Sequence, residues 1–521
     1  MTHAQKSLLV AILAGSTGMA AAQPFAHNIA EPVDAREFAS DLTLTESGDI
    51  IAAGGISLDD ANAMLNGYLV ASDADGVPFF SLIIDDPDSE RDELIAVRQD
   101  TSDQLLIALQ DAVFGVNPPT NNVLLMKIDP FAGALPYQWR YPITSLGENL
   151  GMELDQETGL VAASALNSFG GTQPTLLRFD NSTGLPIYHF RYAVTDAPAF
   201  DLRFYDVTFD PSSGQIFAVG TVSLDAQGFS PESELLIASF SPGGAPLWFN
   251  AYELRVEDND DAGATEGTSI ELNGEGQVVV TARIRDNNFG PIAAQVIVGP
   301  AAGAPIVASA ISNPGAPFDP AFSSLEMRPN GTMLASGTTV SAAGTVSPVM
   351  WSFDGFSTAL NWAYVPDVED GTGNSAIPQS DRGPLLGGEV FPNLGTISGA
   401  HDLLLARTTP MGDGECPVTP DLRQLNVEPR VLSIPVQPQQ MPNPEEAGVE
   451  VFQGEPLQKL VCEPCPADLA APFGVLNFFD IAAYIALYNA MDPAADLAAP
   501  FGTLNFFDIT AYIALYNAGC P

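Results

Sequence analysis

The residues of this chain that could do chemistry are few in kind. Its imidazoles are His3, His27, His189 and His401, widely scattered, and no serine in a G-x-S-x-G turn accompanies them, so a nucleophilic triad has no local support. His189 stands in an aromatic strand segment and reads as a strand residue, packed or exposed. A copper or quinoprotein-type site calls for clustered histidine or thiolate ligands, yet residues 38–409 contain no cysteine, which argues against a redox cofactor. Carboxylates are the opposite case. With 64 acids in 521 residues, close Asp/Glu pairs arise by accident and carry little weight as a catalytic signature. Acids from distant loops could still meet at one mouth of the fold and cleave a glycoside, a geometry that spacing along the chain does not reveal. The acidic runs Asp85-Asp86-Pro87-Asp88-Ser89-Glu90 and Glu257-Asp258-Asn259-Asp260-Asp261 offer oxygen ligands for calcium, although such runs are more often solvated connections.

Lys6, the apolar run Leu8 to Leu13 and the small residues Ala20-Ala21-Ala22-Gln23 read as a signal peptide over residues 1–22, with cleavage near Ala22. No later segment approaches the ~20 apolar residues of a membrane helix, so the expected mature chain is secreted or at the cell surface, without membrane insertion. All four cysteines, Cys416, Cys462, Cys465 and Cys520, lie beyond residue 415, and an oxidising compartment makes two disulfides the default. A zinc site on Cys462-x-x-Cys465 with the other two stays open, but irregular spacing and export disfavour it. A net charge of −46 with only 18 basic residues excludes ordinary nucleic-acid binding and attraction to anionic membranes, because nothing could neutralise a run of phosphates. It implies a solvated acidic surface.

The last residues say one thing twice. Asp468 to Ala490 reads DLAAPFGVLNFFDIAAYIALYNA, and Asp496 to Ala518 reads DLAAPFGTLNFFDITAYIALYNA. In each copy a glycine turn leads into a segment with apolar residues at helical spacing: Ile481, Tyr484, Ile485, Tyr488, and then Ile509, Tyr512, Ile513, Tyr516. One such helix cannot bury its stripe alone; two related by an approximate two-fold axis can cover each other.

The duplicated segment resembles the dockerin family, in which two repeats each carry an EF-hand-like loop and a helix, and which plugs into a receptor domain. Asp468, Gly474, Asn477 and Asp480 match the first, glycine, ninth and twelfth places of the family loop, as do Asp496, Gly502, Asn505 and Asp508. The resemblance implies calcium at Asp468, Asn477, Asp480 and at Asp496, Asn505, Asp508. In place of the usual inner ligands stands Leu469-Ala470-Ala471-Pro472-Phe473, one residue longer, which leaves few oxygens and weak affinity. The other reading has Pro472 and Phe473 packing the loop while Asp480 and Asp508 cap helices. The ending Gly519-Cys520-Pro521, with Cys465 ahead of the first repeat, resembles the GC-type variant. It implies a Cys465–Cys520 bond of ~4 kcal/mol tying the module's ends, leaving Cys416 with Cys462. It also implies a protein receptor contacted through Phe478, Tyr484, Leu487, Tyr488, Phe506, Tyr512, Leu515 and Tyr516.

Ahead of this tail a weaker repeat runs at a period near 55 residues. Alternating strand, glycine turn and apolar strand recur around Gly48, Gly159, Gly214, Gly276 and Gly331. Each is followed by a strand, a D-x-x-G type turn and an aromatic strand, as in Leu176 to Asp180, Gly184, and Tyr188 to Tyr192. Four-stranded units repeated about seven times, with starts near Phe38, Leu94, Gly151, Leu202, Gly267, Phe322 and Asn374, call for an all-β, seven-bladed β-propeller, six or eight being the alternatives. The glycines are expected at positive φ and the terminal Trp/Tyr between blades. The region resembles secreted bacterial propellers, which implies an architecture and no single activity. Its D-x-x-G turns lack the leading serine and the offset tryptophan of sialidase-type boxes.

The expected domains are the signal peptide 1–22, the propeller 23–413, a proline-rich spacer 414–464 that could form a small β unit closed by Cys416–Cys462, and the helical dockerin-like module 465–521. The functional expectation is an exported, non-catalytic binding and display protein, anchored through its tail to a receptor and offering the propeller to a carbohydrate or protein ligand. The alternative is a carbohydrate-active hydrolase or lyase carried by the same tail. Two or three acids converging within ~10 Å at one propeller mouth would favour the alternative.

Overall fold

The computed structural model describes residues 25–30, 36–57, 65–86, 91–100, 104–113, 120–129, 134–141, 151–154, 158–166, 172–194, 201–223, 233–256, 264–286, 290–312, 321–328, 330–340, 345–366, 371–379, 383–391, 402–409, 412, 417–418, 423–454, 457–460, 467, 469–470, 476–492, 495–498 and 504–518. The signal segment, all four cysteines, Asp468, Gly474, Gly502 and the acidic run 257–261 lie outside them.

Seven antiparallel blades follow one another along the chain: blade 1 at 36–85, blade 2 at 91–141, blade 3 at 151–194, blade 4 at 201–256, blade 5 at 264–312, blade 6 at 321–366 and blade 7 at 371–407. Blade 7 supplies only three strands of its own. Its fourth is Phe25–Ala30, which pairs antiparallel with 403–407, so the start of the described chain closes the ring. The apolar cores confirm closure: seven buried clusters each join two neighbouring blades, the last two joining blade 6 to 7 and blade 7 to 1.

The repeated glycines work as expected at most positions. Gly48, Gly214, Gly276 and Gly331 adopt positive φ between first and second strands, and Gly76, Gly184, Gly244 and Gly303 do so between third and fourth. The second group meets a further demand. A Cβ on Gly184 would lie 2.4 Å from the Tyr137 ring, and one on Gly244 2.8 Å from that of Tyr188, because the fourth-strand aromatics of one blade lie over the turn of the next. Tyr192 donates its hydroxyl to the Gly244 carbonyl at 2.8 Å, and Tyr252 to that of Gly303 at 2.6 Å. Two positions depart from the pattern. Gly159 begins a strand opposite Phe179, whose ring fills the space of its missing side chain. In blade 6 it is Thr358, φ 59°, and not Gly355, that takes the left-handed turn position.

The expected spacer is neither an extended linker nor a separate small unit. Pro417–Val418, Arg423–Ser433, Val436–Gln440, Glu445–Glu446, Glu450–Gly454 and Leu457–Leu460 add a fifth strand to blades 6, 5 and 4 (shared by Arg423–Ser433), 3, 2, 1 and 7 in turn. The segment is a belt around the ring. Its prolines misled the sequence reading because they are tolerated in an outermost strand, whose outward edge has no partner to receive an N–H; Pro429 and Pro438 sit in ladder positions opposite Leu254 and Tyr192. The belt covers blade edges that would otherwise invite pairing with other chains.

The C-terminal helices are α1, Phe478–Asn489, and α2, Phe506–Ala518. Tyr484 and Tyr512 stack at 3.9 Å with rings 4° from parallel, and their hydroxyls donate to the carbonyls of Ala495 and Ala467 respectively. The two copies cover each other as the duplication implied. Among the described residues no helix is long and apolar enough to cross a membrane.

Candidate functional site in the central channel

The first strand of each blade lines the axis, and in six of the seven it carries a β-bulge, at Ala39/Asp41, Leu94/Ala96, Phe204/Asp206, Gly267/Ser269, Phe322/Ser324 and Gly373/Ser375. A bulge re-aims the side chains that follow it. The residue just after it is Asp41, Ala96, Asp206, Ser269, Ser324 or Ser375, with Gly151 at the matching place in blade 3.

This position binds blade to blade. Asp41 Oδ2 accepts the Val97 amide at 3.0 Å, Asp206 Oδ2 that of Ile270 at 3.0 Å, Ser269 Oγ that of Leu325 at 3.1 Å and Ser324 Oγ that of Ala376 at 3.1 Å. Ser375 donates to Asp41 Oδ1 and so links blade 7 to blade 1. In blade 3 the backbones come closer: a Cβ on Gly151 would lie 2.3 Å from Asp206 Cα.

Two residues further on, the same face of the strand presents Thr43, Arg98, Glu153, Thr208, Glu271, Glu326 and Ile377. Arg98 is ion-paired to Asp41 and lies in the field of Glu153, Glu326 and Asp206. One guanidinium cannot balance five carboxylates in an enclosed channel. Desolvation, and then mutual repulsion set against the pull of Arg98, raises Glu153 to about 7 and Glu326 to about 8. Glu271 is pushed well up by burial and by Glu326, and Asp206 is raised by burial against its hydrogen bonds from Ser269 and Ile270. The channel therefore holds protonated and ionised carboxyl groups side by side near neutral pH, the chemistry of a general acid beside a base, or of a site for hydroxyl-rich or cationic ligands. Among the described residues no three His, Cys, Asp or Glu groups stand close enough to share a metal ion.

Sequence reasoning singled out none of these residues. The one available signal was an acid or serine recurring just before an aliphatic residue in five of the seven first strands, as in Asp41-Leu42, Asp206-Val207 and Ser324-Leu325.

The residues that were singled out lie elsewhere. His189 is buried, edge-on to Tyr141, and burial lowers it to about 4, so it is a neutral packing residue. In the tail, Asn477 and Asn505 are helix N-caps, accepting the amides of Phe479 and Phe507 at 2.8 Å. Asp480 accepts from the amides of Leu469, Ala470 and Asn477, and Asp508 from those of Ala498 and Asn505. Both carboxylates thus face backbone N–H groups, and those bonds hold Asp508 below the usual aspartate range. Asp496 is half-buried. The proposed receptor contacts divide. Phe478 and Phe506 are 74 % and 72 % exposed, but Tyr484 and Tyr512 are 2 % exposed, and Leu487, Tyr488, Leu515 and Tyr516 pack around them. Those six serve the module's own core, since the helical stripe is consumed where the copies meet. The exposed apolar residues are instead Phe478, Phe479 and Ile485 on α1 and their counterparts Phe506, Phe507 and Ile513 on α2.

No family profile and no curated protein matches this sequence. Solved structures similar to it include a quinohemoprotein alcohol dehydrogenase from Comamonas testosteroni, at 9 % identity and TM-score 0.43, covering 76 % of this chain and 78 % of that one. The extracellular domains 1-2 of Drosophila Semaphorin 1a match at 8 % identity and TM-score 0.43, covering 75 % and 88 %. The GH93 α-L-arabinofuranosidase of Fusarium graminearum matches at 9 % identity and TM-score 0.37, covering 60 % and 91 %.

Proposed function

We propose that this chain is an exported, non-catalytic recognition protein whose propeller displays a ligand-binding surface and whose helical pair docks it on a receptor, as dockerin modules do. The observation that carries this reading is the pair of equivalent phenylalanine faces, Phe478/Phe479 and Phe506/Phe507, left in water by a module that buries its other aromatics. Apolar side chains this exposed have a free-energy incentive to be covered by a partner. No Lys, Arg or His follows Lys459, so the partner is a protein with an apolar groove and a basic rim. Calcium enters as a weak addition, because Asp480 and Asp508 already accept backbone amides and a cation would compete with those donors. The test compares the full chain with a variant carrying Phe478→Ser, Phe479→Ser, Phe506→Ser and Phe507→Ser in retention on the surface of the producing cells. Loss of retention with the propeller intact supports the reading; equal retention refutes it.

A second reading, a carbohydrate-active hydrolase or lyase, is favoured by the channel itself. Glu153 and Glu326 with raised pKa values beside Asp41 and Arg98 supply a proton donor and a charged partner. Turnover of any polysaccharide in a panel, abolished by Glu153→Gln or Glu326→Gln, would establish it over the first. Activity unaffected by both substitutions would exclude the channel as its seat.

A further inference from the structure

We infer that the propeller receives its partner on the face that carries the glycine turns, and that this partner is a protein segment in which lysine or arginine stands beside large apolar side chains. This face is then the ligand-binding surface of the recognition reading proposed above, on which the inference rests.

Because the strands of a blade alternate in direction, the turns between first and second strands and those between third and fourth emerge on one face of the ring. At its rim the second residue of the fourth strand is Phe79 in blade 1, Ile187 in blade 3, Leu247 in blade 4 and Ile306 in blade 5, each at least half exposed. Val77 and Leu185 are exposed two residues earlier. The belt leaves this rim open, since its ladders cover only Ser81–Asp85, Phe190–Val194, Asn250–Val256 and Ser309–Ser312. The fold does not demand an apolar side chain here. Blade 6 places an exposed Asn361 at the same register, after Leu360 opposite Phe353 where blade 3 has Pro186 opposite Phe179. Two partly exposed indoles extend the apolar arc: Trp139 donates to the Thr183 carbonyl at 2.7 Å and Trp248 to that of Pro300 at 3.0 Å, each lying on the turn of the following blade.

Within this arc, at the junction of blades 3 and 4, the face sinks into an open hollow of ≈ 200 Å³ lined by Thr158, Leu160, Arg178, Phe209, Gly214 and Ile216. Small-molecule sites run to about 300–1,000 Å³, so the hollow suits one side chain of a larger partner. Leu160, Phe209 and Ile216 make that side chain apolar.

The turns of the same face carry Asp73, Asp75, Asp180, Asp210, Glu275 and Asp354. Segments 73–77, 180–185, 210–215, 273–277 and 354–359 contain no Lys, Arg or His. Arg178 is engaged by Thr158 and the Pro242 carbonyl, and Arg328 is buried. The hydroxyls of Ser182 and Ser213, with turn amides, hold Asp180 and Asp210 below the usual aspartate range, so their charge persists in mild acid. A second copy of this chain would set like charges against each other, and so would the helical pair, which has no cation after Lys459. A basic segment with apolar side chains answers both the carboxylates and the rim.

The probe is an amphipathic peptide of leucine and lysine, compared with one of equal length and charge in which serine replaces leucine. Titration calorimetry uses the full chain carrying Phe478→Ser, Phe479→Ser, Phe506→Ser and Phe507→Ser, so that the tail's own apolar faces do not compete. The leucine peptide is expected to bind at least ~10-fold more tightly, because covering half-exposed apolar side chains adds to charge attraction. Adding Leu185→Ser, Ile187→Ser, Leu247→Ser and Ile306→Ser should abolish that preference, whereas adding Val431→Ser and Leu432→Ser, exposed apolar residues of the belt, should preserve it. Equal affinity for the two peptides, or a preference that survives the rim substitutions, overturns the inference. If the rim variant does not fold, Ile187→Ser and Leu247→Ser are read singly, each expected to reduce the preference ~3-fold; no reduction in either overturns it. Cell retention keeps the two readings apart: the rim substitutions in a chain with its native tail should leave retention at the wild-type level, so a failed rim and a failed tail give different results.

Discussion

The ring and the helical pair are both built by repetition, but their repeats meet in opposite ways. In the ring a hydroxyl on one blade reaches the turn of the next, Tyr192 to Gly244 and Tyr252 to Gly303, a head-to-tail contact that closes because the seventh blade returns to the first. In the pair the contact is reciprocal: Tyr484 reaches Ala495, just ahead of the second copy, and Tyr512 reaches Ala467, just ahead of the first. A head-to-tail interface has two different sides, so each blade junction can change separately. Between blades 7 and 1 the third-strand guanidinium of Arg407 bonds the Ala74 carbonyl, and Thr358 takes the left-handed turn position in blade 6.

The comparison can be broken most severely in the tail. Tyr512→Ala removes half of the stacked pair and a hydroxyl bond to the other copy, with an expected loss of ~3–5 kcal/mol and collapse of both helices together. Helical circular dichroism and amide exchange on α1 read the outcome; an intact α1 would show that the copies fold singly. In the ring, Gly244→Ala places a methyl 2.8 Å from Tyr188 at φ 78°, whereas Gly276→Ala, φ 72°, meets nothing within 4 Å. The second should cost ~1–2 kcal/mol for the left-handed backbone alone, and the first clearly more. Equal losses in denaturant unfolding would mean that the aromatic clasp between blades contributes nothing.

Acid separates the two regions by sign. Glu153 and Glu326 carry folded pKa values of about 7 and 8, above their unfolded values, so the folded ring binds the extra protons between about pH 4.5 and 8. Its melting temperature should fall as pH rises through that window, and Glu326→Gln should flatten the profile. Asp508 is shifted the other way, so its contribution to the helical pair is present above the ordinary aspartate range and is lost as pH falls below it. A ring that gains stability on raising the pH from 5 to 8 would contradict the channel assignment. The smallest effect is a gain: Thr358→Gly relieves a β-branched residue at φ 59° and should stabilise blade 6 by up to ~1 kcal/mol, seen as a higher denaturant midpoint.

How much could be read from the sequence follows from where each signal lives. Blade number, blade starts and most turn glycines were legible because a positive φ and an alternating strand are local demands that leave a periodic trace. Phe25–Ala30 was not assigned to blade 7, since nothing in its six residues distinguishes a closing strand from a leader's sequel. The belt was hidden by its prolines and by strands as short as Glu445–Glu446, which exist only because a blade edge is there to pair with. In the tail the helical stripe was correct, but periodicity reports which residues are buried and not by whom, so Tyr484 and Tyr512 were placed on a receptor when each packs on the other.

The chain's own residues determined a seven-part β-ring, a twinned helical module and an acidic surface, because glycine turns, hydrophobic period and charge are written locally. Only the folded ring decided that Arg98, Glu153, Glu271 and Glu326 share one channel and that Pro417–Leu460 girdles every blade. Both depend on register between strands tens to hundreds of residues apart, and register is fixed by closure of the ring as a whole.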